Sequence, residues 1–135
     1  MLTNSPDGGS RFMYHYEIDQ AANLLQLRYS GQVDAAQTQL CAKECEVVVQ
    51  ELRPGFRLLT DLSQLERMDL ACVPHIKRMM DLCNKAGVEL VVRVIPDPRK
   101  DIGLNIMSLF HYRKRVRIVT CERLEEARKL LAAAG

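Results

Sequence analysis

The stretch FRLLTDLSQLERMD, residues 56–69, decides how the rest of the chain is interpreted. Its first part, Phe56–Thr60, is a short and largely apolar run, which predicts a central strand. The segment Asp61–Ser63 follows this strand, and a predicted loop then extends to Asp69. Because both faces of such a strand are apolar, we expect helices to cover the sheet on either side.

Two strands and a helix are predicted upstream of this stretch. Phe12–Ile18 and Leu24–Tyr29 alternate with period two across a short polar turn, which is typical of an antiparallel hairpin. The helix that follows begins at Asp34, with Gln37 as its capping-box partner, and ends near Leu52. We expect the inner stripe of this helix to consist of Ala36, Leu40, Val47, Val48 and Leu52.

Helices and strands alternate downstream. The patterns predict a helix over 70–86, a strand over 88–95, a short helix over 101–110, a strand over 116–119, and a final helix capped by Thr120 with Leu124, Ala127 and Leu131 facing the core. Gly87 is suited to end the first of these helices. The order ββαβαβαβα predicts an α/β fold with a mixed sheet, in which the later strands are parallel and helices pack on the sheet.

Length and composition indicate one domain of ordinary globular type. The chain has 135 residues, of which 47% are hydrophobic and 27% charged, and this balance excludes disordered and fibrous classes. We interpret residues 1–10 as a disordered N-terminal tail and residues 11–135 as a single domain. A net charge of +2 is too small to indicate a nucleic-acid partner. The absence of a long apolar run predicts a cytoplasmic protein without a membrane span.

The sequence contains no pattern that indicates catalysis, a metal or a cofactor. There is no glycine-rich phosphate loop and no arrangement typical of a catalytic triad, so we do not expect an enzyme. The five cysteines are odd in number and lack a CxxC pair, which predicts reduced, buried thiols. Cys72 leaves an alternative open, because a thiol at a helix start can have a lowered pKa.

The element order and two local motifs resemble the STAS family, named for sulfate transporters and anti-sigma factor antagonists. The resemblance covers Phe12 to Leu131. One motif is the apolar strand that ends in Asp61-Leu62-Ser63, followed by a loop that ends in Asp69 before the second helix. The other is Leu124-Glu125-Glu126-Ala127, which is similar to the family's last-helix start. The resemblance implies a STAS-like (SpoIIAA-like) fold and a non-catalytic regulatory or protein-interaction module, whose partner would be an anti-sigma factor or a kinase-like regulator.

The phosphorylation site of the family has no counterpart in this sequence. Phosphoregulated members carry Asp-Ser-Ser/Thr-Gly where this chain has Asp69-Leu70-Ala71-Cys72. Ala71 has no oxygen that could accept a phosphoryl group, and nothing marks Ser63 as a substitute. We therefore expect the module to present the segment Asp61–Cys72 and the second helix to a partner, without phosphorylation at Ala71. Asp69 can either mark a binding spot or serve as a helix N-cap.

A basic segment supports an alternative function. Seven Lys and Arg residues lie between Arg93 and Arg117 against two Asp residues, which gives a local charge of +5. The candidate residues for a small anionic ligand, such as a nucleotide or an acidic lipid, are Arg93, Asp97, Arg99, Lys100 and Asp101. Arg93 could instead pair with Asp61 or Asp69, and the residues from Arg113 onward could form a solvated edge strand. Self-association as a homodimer also stays open.

Overall fold

Five strands form one mixed sheet in the order in which they occur along the chain. The computed structural model describes residues 13–95 and 116–134. The strands are β1 (Tyr14–Asp19), β2 (Leu24–Val33), β3 (Arg57–Met68), β4 (Leu90–Val94) and β5 (Arg117–Cys121). β1 pairs antiparallel with β2, and all later neighbours are parallel. The expected mixed sheet is thereby confirmed, whereas the predicted tail and the predicted helix over 101–110 lie outside the described residues.

Within the described residues, three helices cover this sheet. They are α1 (Ala35–Val48), α2 (Val73–Ala86) and α3 (Leu124–Ala134). The helices α1 and α2 contact each other, and α3 contacts β3, β4 and β5. Two separate apolar clusters follow from this arrangement, because one forms between the sheet and α1–α2 and the other between the sheet and α3. All five residues of β4 are buried, as expected for a strand that is covered on both faces.

The predicted loop after Ser63 is wrong, because β3 continues through it to Met68. β2 also continues past Ser30 and Gly31 to Val33, so the two strands stay paired, with Gly31 opposite Leu65 and Val33 opposite Met68. Two register shifts interrupt this pairing, and Gly31 has a φ of 65°. Such irregularities break the period-two alternation on which a strand prediction depends.

The N-terminus of α1 is as predicted, but its buried face is not. The Gln37 N–H donates to Asp34 Oδ1 at 2.9 Å, which confirms the cap. Val48 and Leu52 are buried, whereas Ala36 is exposed, Leu40 is 44% exposed and Val47 is 61% exposed. The face that packs consists of smaller side chains, namely Thr38, Cys41, Ala42, Cys45 and Val48. Small residues allow α1 to approach the sheet and α2 closely, which the larger stripe would prevent.

The two later helices begin a few residues from their predicted starts. A 3-10 turn over Leu70–Cys72 precedes α2, and Pro74 lies in the first turn of the helix, where no backbone donor is needed. Gly87 ends α2 with a φ of 93°, as predicted. Thr120 lies in β5 and does not cap α3, which starts at Leu124. The apolar stripe of α3 is confirmed, since Ala127 and Leu131 are 0% and 5% exposed.

Candidate functional site

The turn before α2 exposes two apolar side chains on a backbone that is held firmly. The Asp69 N–H donates to the Val33 carbonyl at 3.2 Å, and the Cys72 N–H donates to the Asp69 carbonyl at 2.9 Å. Between these anchors Leu70 is 74% exposed and Ala71 is also exposed, whereas Cys72 is buried. Leu70 is the most exposed of the three large hydrophobic side chains at the surface of the described residues. The turn therefore presents an apolar projection to solvent.

The side chain of Asp69 does not cap the helix, which corrects that interpretation of this residue. Asp69 occupies the position before the 3-10 turn with φ −67° and ψ 147°, yet its carboxylate accepts no capping hydrogen bond. The carboxylate instead lies 3.8 Å from Arg67 Nε, in a largely exposed ion pair that contributes little to stability. Both side chains stay accessible at the rim of the turn.

Cys72 lies below the turn as a buried, neutral thiol. It is 1% exposed, and its Sγ donates to the Val33 carbonyl at 3.6 Å. Burial raises the pKa of this thiol. The alternative of a reactive, low-pKa thiol at the helix start is therefore wrong.

Arg93 and Asp61 are both buried, but they lie on opposite faces of the sheet. Thr60 is the residue of β3 that pairs with Arg93, and alternation places Asp61 on the α3 side. Arg93 is 7% exposed and its Nη2 donates to Thr120 Oγ1 at 2.9 Å. The carboxylate Oδ1 of Asp61 accepts the Ser63 N–H at 2.9 Å. The other candidates of the basic segment, Asp97, Arg99, Lys100 and Asp101, lie outside the described residues.

A polar groove on the α3 side of the sheet was not predicted. It has a volume of about 280 Å³ and is lined by polar residues of β1 and β2, by Asp61 of β3, and by Leu124 and Arg128 of α3. The polar residues on β1 and β2 are His15, Glu17, Gln26 and Arg28, and Leu27 and Leu59 also line the groove. The alternation of these polar residues with the buried Tyr14, Leu25, Leu27 and Tyr29 is the signal that could have indicated it.

Metal ligands and membrane-spanning segments are not found in the part of the chain that the structure describes. No group of three or more His, Cys, Asp or Glu residues there has the geometry to hold a metal ion. Nor is any helix among residues 13–95 and 116–134 of the length and apolar character that crossing a bilayer requires.

Comparison with known proteins shows the family. The model of the STAS domain matches residues 15–127, which is most of the chain, so the chain belongs to the STAS family. A search of curated proteins gave no match.

Solved structures share the fold at low sequence identity. An uncharacterised DUF3478-family protein from Shewanella loihica with a SpoIIAA-like fold gives a TM-score of 0.64 at 13% identity, over 86% of this chain and 90% of that one. A putative anti-sigma factor antagonist from Thermotoga maritima gives 0.60 at 17% identity, over 89% and 95%. The unphosphorylated anti-sigma factor antagonist SpoIIAA gives 0.59 at 14% identity, over 90% and 99%. The predicted SpoIIAA-like fold is thereby confirmed.

Proposed function

We propose that this domain is a non-catalytic regulatory module that binds a protein partner through the turn Asp69–Cys72 and the adjoining start of α2. The partner class is an anti-sigma factor or a kinase-like regulator in the cytosol. The proposal is supported by membership of the STAS family and by a fold shared with anti-sigma factor antagonists. The single observation that carries it is the exposed side chain of Leu70, held on an ordered turn.

An exposed leucine favours binding because its apolar surface is removed from water in a complex. Burial of one such side chain contributes about 1.5–3 kcal/mol. The backbone of the turn is already fixed by hydrogen bonds to Val33 and within the turn, so little conformational entropy is lost on binding. Arg67 and Asp69 at the rim provide polar groups that can select among partners.

We further propose that phosphorylation at position 71 does not control this interaction. Ala71 carries no hydroxyl, and the neighbouring side chains are those of Leu70 and the buried Cys72. A phosphoryl group would add about 1.5 to 2 negative charges beside the start of a helix. Because no phosphoryl group can be added at Ala71, the charge of the turn does not change. Binding is then governed by the amounts of the two proteins.

Site-specific photo-crosslinking in the source cell tests the docking surface. A photoreactive residue replaces Leu70 in one variant and Val47 in a control variant, because Val47 is equally apolar and is 61% exposed on α1. We expect a covalent adduct with an anti-sigma factor or a regulatory kinase from position 70 and none from position 47. An adduct of that class from position 47 alone would contradict the proposal.

Mass spectrometry of the protein from the same cells tests the second part. We expect no phosphate on the turn or on Ser63, whether or not the partner is present. Stoichiometric phosphate on Ser63 would show that another hydroxyl replaces the missing one. The proposal that this interaction is not controlled by phosphorylation would then be wrong.

A further inference from the structure

The polar groove beside α3 is formed by two rows of side chains that run across three strands. The first row consists of His15, Arg28 and Asp61, because Arg28 is paired with His15 on β1 and with Asp61 on β3. The second row consists of Glu17, Gln26 and Leu59. Arg128 and Leu124 of α3 form the wall opposite these rows. Six polar side chains therefore converge on one groove at the surface of the sheet.

Most of these polar groups have no partner among the described residues. The side chains of Glu17, Arg28 and Arg128 make no hydrogen bond or ion pair there, and His15 Nδ1 is buried without an acceptor or donor beside it. Asp61 is 7% exposed, and only its Oδ1 receives the Ser63 N–H. Of these groups only Asp61 and the His15 Nδ1 atom are buried, whereas Arg28 and Arg128 reach the solvent at the rim. A concavity with a few convergent polar groups is typical of a ligand site, and a buried polar atom without a partner is costly.

The charges of the groove are balanced, and this decides the class of ligand. The lining contains two guanidinium groups, of Arg28 and Arg128, and two carboxylates, of Glu17 and Asp61. A simple anion would be attracted by the first pair and repelled by the second. A molecule that carries an ammonium and a carboxylate group together can satisfy both pairs with charge-assisted hydrogen bonds.

The size of the groove and its apolar residues further restrict the class of ligand that it can bind. Its volume of about 280 Å³ is larger than the roughly 150 Å³ that holds benzene, so a small metabolite fits. Leu59 and Leu124 supply an apolar patch for a short side chain. The lining contains no Phe, Tyr or Trp, and a nucleobase would therefore find no ring to stack on.

We propose that this groove binds a free α-amino acid, with its ammonium group on Asp61 and Glu17 and its carboxylate on Arg28 and Arg128. The site lies on the face of the sheet opposite α1 and α2, and it does not depend on the proposed protein partner. The domain would thereby combine a docking surface at the start of α2 with a sensor for a small metabolite on the other face.

Nuclear magnetic resonance titration of the full chain tests the site with each of the twenty free amino acids, at about 10 mM to saturate a millimolar Kd. We expect at least one of them to cause saturable shifts in the amides of Gln26 and Arg28. The same amino acid with its amine acetylated, or with its carboxylate amidated, should bind about 10-fold to 100-fold more weakly, because each change removes a charge-assisted contact. Inorganic phosphate and ATP serve as anion probes and should cause no saturable shift at Gln26.

Three variants locate the binding. Asp61→Asn keeps an acceptor for the Ser63 N–H, and Arg128→Gln changes an exposed side chain, so both should fold. We expect each to weaken binding about tenfold or more, whereas Arg117→Gln, an exposed arginine on β5 outside the groove, should bind normally. The proposal is wrong if no free amino acid gives a saturable shift, if phosphate or ATP binds as well, or if both groove variants keep full affinity.

Discussion

Thiol and phenol groups in the core and at its edge have raised pKa values. Burial raises the pKa of the Cys83 thiol to about 12 and that of the Tyr16 phenol to about 12. Burial likewise raises the pKa of Tyr29 well above its ordinary value, and its hydroxyl donates to Met79 Sδ at 3.4 Å. These groups release their protons far more readily in the unfolded chain than in the folded one.

Stability should therefore fall in alkaline solution. The folded pKa of the Cys83 thiol is raised above its ordinary value of 9.0, so its contribution to stability is fully present below about pH 9 and is lost as pH rises toward 12. Each such thiol lowers the free energy of unfolding by about 1.4 kcal/mol per pH unit in this range. Urea unfolding between about pH 8 and pH 11 measures the slope, which should be shallower in Cys83→Ala. A free energy of unfolding that stays constant across this range would contradict the burial of these groups.

Gly87 is required by its backbone conformation and by its neighbour. Its φ is 93°, and a Cβ at this position would lie 3.0 Å from Pro54 Cα. We expect Gly87→Ala to lower the free energy of unfolding by about 1–3 kcal/mol. Gly55→Ala is the matched control, because its φ is 89° and its nearest contact is 3.8 Å away, so it incurs the backbone strain without the clash. Thermal or urea denaturation of both variants measures the difference, and equal losses would contradict the close approach of Pro54.

At the scale of elements, one arginine adds hydrogen bonds to the apolar packing of α3 on the sheet. Arg57 at the start of β3 donates through Nη1 to the Leu131 carbonyl and through Nη2 to the Ala22 carbonyl at 2.7 Å. It therefore ties the last turn of α3 to the β1–β2 turn. A cation near the C-terminal end of a helix is also favourable to its dipole.

Removal of this contact should loosen α3 before the rest of the domain. We expect Arg57→Ala to cost about 1.5–3 kcal/mol, the usual loss for a hydrogen-bonded charged group. Hydrogen exchange should accelerate in α3 more than in α1, whereas Arg117→Ala on β5 should leave both helices unchanged. Equal acceleration across all helices would mean that Arg57 acts on global stability alone.

The orientation of α1 is tested by two adjacent valines. Val48 is 3% exposed and Val47 is 61% exposed, although the sequence pattern places both on the inner stripe. We expect Val48→Asp to destabilise the domain by several kcal/mol, since it buries an unpaired charge, and Val47→Asp to change stability by no more than about 0.5 kcal/mol. Urea or thermal denaturation of the two variants measures both losses of stability. A larger loss in Val47→Asp than in Val48→Asp would contradict this orientation of α1.

Across the whole molecule, the sequence predicted what depends on local pattern and missed what depends on pairing between distant segments. The hairpin, the cap at Asp34 and the end of α2 at Gly87 each follow from nearby residues. The extension of β3 through residues 61–68 depends on the equally extended β2, with register shifts that no single-strand pattern shows. The choice between two apolar stripes on α1 likewise depends on its packing against the sheet and α2.

The candidate site could be predicted only in part for the same reason. Asp61 and Arg93 are conspicuous as charges within strands, but one residue of register decides that they lie on opposite faces. Leu70 is exposed because of the geometry of the turn. Its apolar character alone would place it in a core. The groove beside α3 combines residues of four elements, and only the assembled sheet brings them together.

The two faces of the molecule thus carry different surfaces on one framework. The α1–α2 side ends in the apolar turn at Leu70, and the opposite side carries the polar groove beside α3.

The proposed docking of a partner at Leu70 is tested by a calorimetric titration of the cross-linked partner against three forms of the domain. The forms are the unmodified chain, Leu70→Asp and the control Val47→Asp. We expect Leu70→Asp to weaken binding by about tenfold or more, as for the loss of one buried leucine, and Val47→Asp to bind normally. Unchanged affinity in Leu70→Asp would contradict the proposed docking.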